Sequence, residues 1–189
     1  MNLCYKYKLL PSKSQKPLLN SHFFAFNQAW NITLSYHIDT RNKNSLIKQD
    51  CPDYKATYLS NTDLDREIKR ILNDREVPFN SKIVQQARML CNQAIQTNYK
   101  IQKKRMAKDL EVKYSDISYR VSSSPKQVIE TTKEQYNIID NGECRIKNGI
   151  LRLFRENFKF IKHRAIPENY EIKNLKISKD GDSYYVIFS

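Results

Sequence analysis

The residues that suggest chemistry are cations and amides set at helical spacing. Lys82 and Gln86 stand four apart with Gln85 beside them, and Gln93, Lys100, Lys103 and Lys104 continue the strip. Lysine neutralises phosphates and releases counterions, while glutamine pairs with adenine edges or phosphate oxygens, so the mixture suits a duplex groove or a structured RNA. An ordinary solvated helix face has the same pattern, and this strip alone does not separate the two. Lys100, Lys103, Lys104, Arg105 and Lys108 place like charges on successive turns, a repulsion that a polyanion would relieve. The helix macrodipole would equally favour cations at a C-terminal end. In the first strand, Lys6 and Lys8 point away from Tyr5 and Tyr7, as guards of a sheet edge or as contacts for an RNA backbone. Tyr58 lies in polar surroundings just ahead of a helix start, where its ring can stack on or hydrogen-bond a nucleotide.

Other chemistries find no support. The carboxylates are scattered, whereas two-metal nucleic-acid hydrolysis needs several converging on one site. Cys4, Cys51, Cys91 and Cys144 include no C-x-x-C pair, and His22, His37 and His163 form no metal-binding repeat, so neither metal nor cofactor is expected. The chain itself is expected not to be an enzyme. Its 189 residues carry 33 Lys plus Arg against 20 Asp plus Glu, a net charge of +13, and a surplus of that size most often serves nucleic acid. With 40% apolar and 11% aromatic residues the chain can bury a core. No apolar run approaches the ~18 residues of a membrane span, and the N-terminus reads as a strand rather than a signal peptide. A soluble, cytoplasmic protein that does not engage membranes is expected.

These side chains need elements to hold them. The stretch from residue 13 to 118 lacks glycine and reads as helices. Ser12 and Ser14 offer caps, Pro17 fits only a first turn, and Leu18, His22, Ala25, Ala29, Ile32 and Tyr36 recur at helical steps with Phe23, Phe24, Phe26 and Trp30 nearby. The polar stretch Asp39–Gln49 is expected to be a loop. Thr62 with Asp65 looks like a cap for a second helix. Asn80 or Ser81 opens a third, whose apolar arc of Ile83, Val84, Ala87, Leu90, Cys91, Ala94, Ile95 and Ile101 must bury while the Lys/Gln arc stays wet. After the linker Ser122–Pro125, Gln127–Tyr136 reads equally as short helix or loop. Asn141-Gly142, Asn148-Gly149 and Asp180-Gly181 favour type I′ hairpins, joining short strands near residues 144–147, 150–154, 158–163, 172–179 and 184–188. The lone first strand must pair with these. The expected fold class is α+β: a small antiparallel β-barrel from residues 1–12 and 120–189, with a helical bundle, 13–119, inserted.

A likeness joins these parts. The run Tyr5-Lys-Tyr-Lys-Leu-Leu-Pro11-Ser-Lys-Ser-Gln15, then Ala29-Trp30-Asn31, then Asn80-Ser-Lys-Ile-Val-Gln-Gln86-Ala resembles TnpB proteins, also called OrfB transposases, the RNA-guided endonucleases of bacterial insertion sequences. The segments Asn148-Gly149-Ile-Leu-Arg-Leu153, His163-Arg164-Ala-Ile-Pro167 and Asp180-Gly181-Asp-Ser-Tyr-Tyr-Val-Ile-Phe188 are similar to that family's later positions, in the same order. The resemblance implies a wedge-like barrel split by a recognition domain, binding guide RNA and double-stranded DNA. Lys82, Gln86 and Tyr58 would fall where the family contacts its short DNA motif. Asn27 stands where the family has an Arg ahead of the helix-one Asn. The family's nuclease domain, with its acidic triad and Cys-rich element, has no counterpart here. The expectation is therefore a truncated nucleic-acid-binding portion, working alone or with a separately encoded nuclease half. A stand-alone non-cleaving regulator and a nonfunctional transposon remnant are the alternatives. In the leading reading, base pairing supplies sequence while protein supplies shape and motif recognition.

Overall fold

Alternation makes the first element. In β1 (Tyr5–Leu10), Tyr5, Tyr7 and Leu9 are buried while Lys6, Lys8 and Leu10 are exposed, the period of two that a half-buried strand requires. The computed structural model describes residues 4–108, 117–132, 146, 147, 149–166, 172 and 174–189. β1 pairs antiparallel with β7 (Ser183–Phe188), Tyr7 opposite Val186, and with β5 (Glu156–Ile161), Leu9 opposite Phe160. The lone strand thus finds its partners near the C-terminus. The remaining strands are β2 (Lys126–Thr132), β3 (Ile146–Lys147), β4 (Ile150–Leu153) and β6 (Asn174–Asp180), in the sheet order β2-β6-β7-β1-β5-β4-β3. β2 and β3 stand at its two ends and do not pair with each other among the described residues. The α+β class stands, but what is seen is an open antiparallel sheet and not a closed barrel. One apolar face, including Ile129, Ile177, Val186, Tyr7 and Phe160, runs across it.

Of Gln127–Tyr136, expected as short helix or loop, residues 127–132 are strand and residues 133–136 lie outside the described residues. Lys126–Thr132 form a strand because β6 offers a full register, with Ile129 opposite Ile177. The Asp180–Ser183 pairing leaves Gly181 and Asp182 as the turn, with positive φ at Gly181 alone. That is a II′ signature, so the expected I′ geometry is corrected there. Two positive φ values occur instead at Phe154 and Arg155, between the paired Leu153 and Glu156. Side chains other than glycine and asparagine resist this conformation, and burial of the Phe154 ring against His22, 4.1 Å between centroids, offsets the strain. The Asn141-Gly142 turn lies outside the described residues, as does Asn148.

Ser12 and Gln15 form a reciprocal capping box at the start of α1 (Gln15–Asp50). At 36 residues this helix is about 54 Å long, given 1.5 Å per residue. It therefore runs straight through the loop expected at Asp39–Gln49. No Gly or Pro interrupts that stretch, and Asn44 is buried under the returning chain, donating to the Thr57 carbonyl at 3.1 Å and accepting from Tyr54 at 3.0 Å. Of the α1 aromatics, Phe23, Phe26 and Trp30 are buried and Phe24 is exposed.

The chain divides into two compact units, Met1–Phe24 with Ser122–Ser189, and Ala25–Val121, so α1 contributes to both. The second unit also holds α2 (Asn61–Asp74) and α3 (Ser81–Met106). Ser60, not Thr62, caps α2: its Oγ accepts from the Asp63 N–H and donates to the Asp63 carboxylate. Asp65, expected to complete the cap, instead accepts from Arg88. Asn80 caps α3 by accepting from the Lys82 N–H at 2.8 Å. The chain then folds residues 118–120 back onto α1. Trp30 Nε1 donates to the Ser118 carbonyl at 3.2 Å, and the Asn31 amide pairs with both the N–H and the C=O of Arg120 at 2.7 and 2.8 Å. The Arg120 guanidinium lies 4.2 Å from the Trp30 ring.

Candidate nucleic-acid interface

From Ser81 to Lys108 the chain carries Lys82, Arg88, Lys100, Lys103, Lys104, Arg105 and Lys108 without one Asp or Glu. Helix geometry distributes these unevenly. Arg88 turns toward α2, where it forms a half-buried pair with Asp65, Nε to Oδ1 at 2.6 Å. Gln93, Lys100, Lys103 and Lys104 are exposed, and no carboxylate lies within ion-pair reach of these three lysines among the described residues. Lys82 and Gln85 are half-buried. The C-terminal turns of α3 also leave Ile101 46% exposed, so the apolar arc ends earlier than its periodicity implies.

Gln86 requires a correction. It was expected on the wet face beside Lys82, yet it is 0% exposed, and neither its Oε1 nor its Nε2 has a hydrogen-bond partner. On a wheel it borders the Leu90 and Ile83 side of the helix, and packing has closed over that border. An amide held without partners costs about 1–3 kcal/mol. Gln86→Leu is therefore expected to raise stability by about 1–2 kcal/mol, read as a higher urea midpoint in Trp30 fluorescence. An unchanged or lower midpoint would mean that the amide is satisfied in solution.

Tyr58 is 53% exposed, and it has neighbours that the sequence did not announce. Its ring centroid lies 6.3 Å from His37, which meets Tyr36 edge-on at 5.3 Å. The Tyr36 hydroxyl oxygen accepts the Leu59 N–H at 2.5 Å, which fixes the segment bearing Tyr58. His37 Nε2 lies 2.8 Å from Asn92 Oδ1, Asn92 Nδ2 donates to Asn61 Oδ1 at 3.3 Å, and Arg88 donates to the same oxygen at 2.8 Å. A polar chain thus runs from the aromatic cluster to the Arg88–Asp65 pair. No local pattern reveals it, because its links join residues 23 to 55 positions apart.

In the other unit, Lys6 and Lys8 are exposed on the outer side of β1, opposite Ile187 and Tyr185 of β7. Lys6 Nζ sits 4.1 Å from the Tyr185 ring centroid, so cation and aromatic share one surface. On the buried side, Tyr7 donates to the Arg164 carbonyl, and the Arg164 guanidinium covers Tyr5 at 4.4 Å.

Cys91 is buried, and burial pushes its thiol up to about 12, while Cys4 and Cys51 are exposed and free. No group of three or more His, Cys, Asp and Glu is gathered for a metal among the described residues. No helix there is long and apolar enough to cross a membrane.

Residues 1–45 match a family model described as the OrfB_IS605 helix-turn-helix domain. The matched stretch folds as β1, the Ser12 cap and α1 as far as Ser45. No curated protein matches the chain.

Proposed function

We propose, on the premise of an OrfB IS605-type N-terminal region, that this chain is the nucleic-acid-binding part of a transposase-related protein. It holds a structured guide RNA and a short stretch of double-stranded DNA, and it performs no strand cleavage itself. The observation that carries the reading is the unbalanced charge of α3: Lys100, Lys103 and Lys104 are exposed on successive turns without a neighbouring described carboxylate. Like charges so placed repel one another, and phosphates are the counter-charge that fits their spacing. Lys82, Gln85 and Gln93 extend the strip, Tyr58 offers a ring, and Lys6 with Lys8 offers a second basic surface on the strand-bearing unit, read as contacts for the RNA backbone. The finer architecture we propose is a wedge-like barrel domain built from residues 1–12 and 120–189, interrupted in the sequence by a recognition domain, residues 13–119.

The test is a salt titration with a structured RNA and a DNA duplex. The slope of log K against log salt is expected to be steep, and replacing Lys100, Lys103 and Lys104 with Ala should make it shallower by about 0.9 per lysine lost on duplex. A flat plot, or a slope unmoved by the triple substitution, overturns the reading. With Mg²⁺ and RNA present, the DNA is expected to stay intact, and guide-dependent cleavage would show that the chain carries nuclease chemistry.

A further inference from the structure

We infer that His37, between Tyr36 and Tyr58, is a base-reading residue that accepts a hydrogen bond from the exocyclic amino group of an unpaired nucleobase. The inference rests on the nucleic-acid reading above and adds to it a site and a preferred chemistry.

Proton bookkeeping along the polar chain fixes the imidazole. Arg88 can only donate, so the Asn61 side chain must turn its oxygen toward it. Asn92 approaches that same oxygen, so it must present its NH₂ there and its oxygen to His37. His37 Nε2 must then carry a proton. In the neutral ring the other nitrogen, Nδ1, is left as an acceptor. Among the described residues it makes no hydrogen bond, and it is not one of the buried unpartnered atoms, so it has access to solvent. The Tyr36 ring meets His37 edge-on at 5.3 Å between centroids, and its hydroxyl already accepts from Leu59, which leaves its own proton to donate. Tyr58 supplies an exposed ring for stacking.

An acceptor, a donor and a stacking surface are complementary to a base whose amino group adjoins a ring-nitrogen acceptor. Adenine and cytosine have that edge, and uracil and unsubstituted purine do not. Stacking on Tyr58 requires the base to be out of a duplex, as in a loop or a single-stranded end. Asn92, Asn61 and Arg88 act as positioning residues, because they set which nitrogen of His37 faces outward.

The experiment uses the full chain and labelled single-stranded oligonucleotides, as RNA and as DNA, containing adenine, cytosine, uracil or purine at a central run. Wild type is expected to bind the adenine oligonucleotide about 5-fold or more tightly than the purine one. His37→Ala should erase that preference while leaving the salt slope unchanged, and Asn92→Leu should do the same without touching the base. Tyr58→Ala should weaken all four by about 5- to 100-fold. Equal wild-type affinity for adenine and purine, which needs no variant to fold, overturns the inference. So does a preference that survives His37→Ala. Failure to bind any oligonucleotide or duplex would instead defeat the underlying nucleic-acid reading, whereas salt-dependent binding without base preference defeats this site alone.

Discussion

Trp30→Ala is expected to destabilise the unit Ala25–Val121 by about 3–5 kcal/mol, the range for truncating a buried aromatic. Three losses coincide at this side chain. The indole is 8% exposed, so its removal leaves a cavity. The Ser118 carbonyl loses the Nε1 donor at 3.2 Å, and the Arg120 guanidinium loses the face it covers at 4.2 Å. Asn31→Ala tests the same clamp more narrowly, because it deletes both hydrogen bonds to the Arg120 backbone without opening a large cavity. A loss of about 1–3 kcal/mol is expected. Trp30 is the chain's single tryptophan, so its fluorescence reports urea unfolding of the Asn31 variant directly, and far-UV circular dichroism serves for Trp30→Ala. A change below about 0.5 kcal/mol in both would mean that residues 117–121 are not held on α1. Because these residues lead to the boundary at Val121, the clamp also decides where the chain leaves the helical unit.

Legibility in the sequence followed the range of the interactions concerned. Period-two burial in β1 and the glycine-marked turn at Gly181 are local, and both elements were readable, although the turn type was not: the pairing of Asp180 with Ser183 shifts Gly181 to the first turn position. The extension of α1 through Asp39–Gln49 was hidden because polar composition resembles a loop. What holds it helical is Asn44 meeting Tyr54 and Thr57, contacts made only after the chain reverses. Gln86 shows the converse. Its residue type and spacing place it with Lys82 on a wet arc, but neighbouring elements close over that flank. Lys100, Lys103 and Lys104 emerge on the surface, where their spacing alone puts them. His37 carried no signal, since its role depends on Asn92, 55 residues away. Side chains that act singly on solvent are thus readable from the chain, and those that act through a partner are not.

The second large effect is a pH dependence centred on His22. This side chain is buried on α1 beneath Phe154, its Nδ1 has no hydrogen-bond partner, and desolvation lowers its pKa from 6.5 to about 4. The folded ring therefore resists a proton that the unfolded chain accepts near pH 6.5. Stability from this group is fully present above that pH. It falls as the pH drops through the interval from 6.5 to about 4, where the unfolded state binds more protons. At about 1.4 kcal/mol per unit, the whole interval corresponds to about 3 kcal/mol. Carboxylates titrate over part of the same range, so the informative quantity is the difference between wild type and His22→Leu, which cannot take up the proton. Urea unfolding followed through tyrosine near-UV circular dichroism should show wild type losing about 3 kcal/mol more than His22→Leu between pH 7 and pH 4. Parallel curves for the two proteins would mean that the ring is solvated or hydrogen-bonded in solution. They would also remove the reason offered for a phenylalanine with positive φ at residue 154, because a hydrated imidazole could not seal that ring from water.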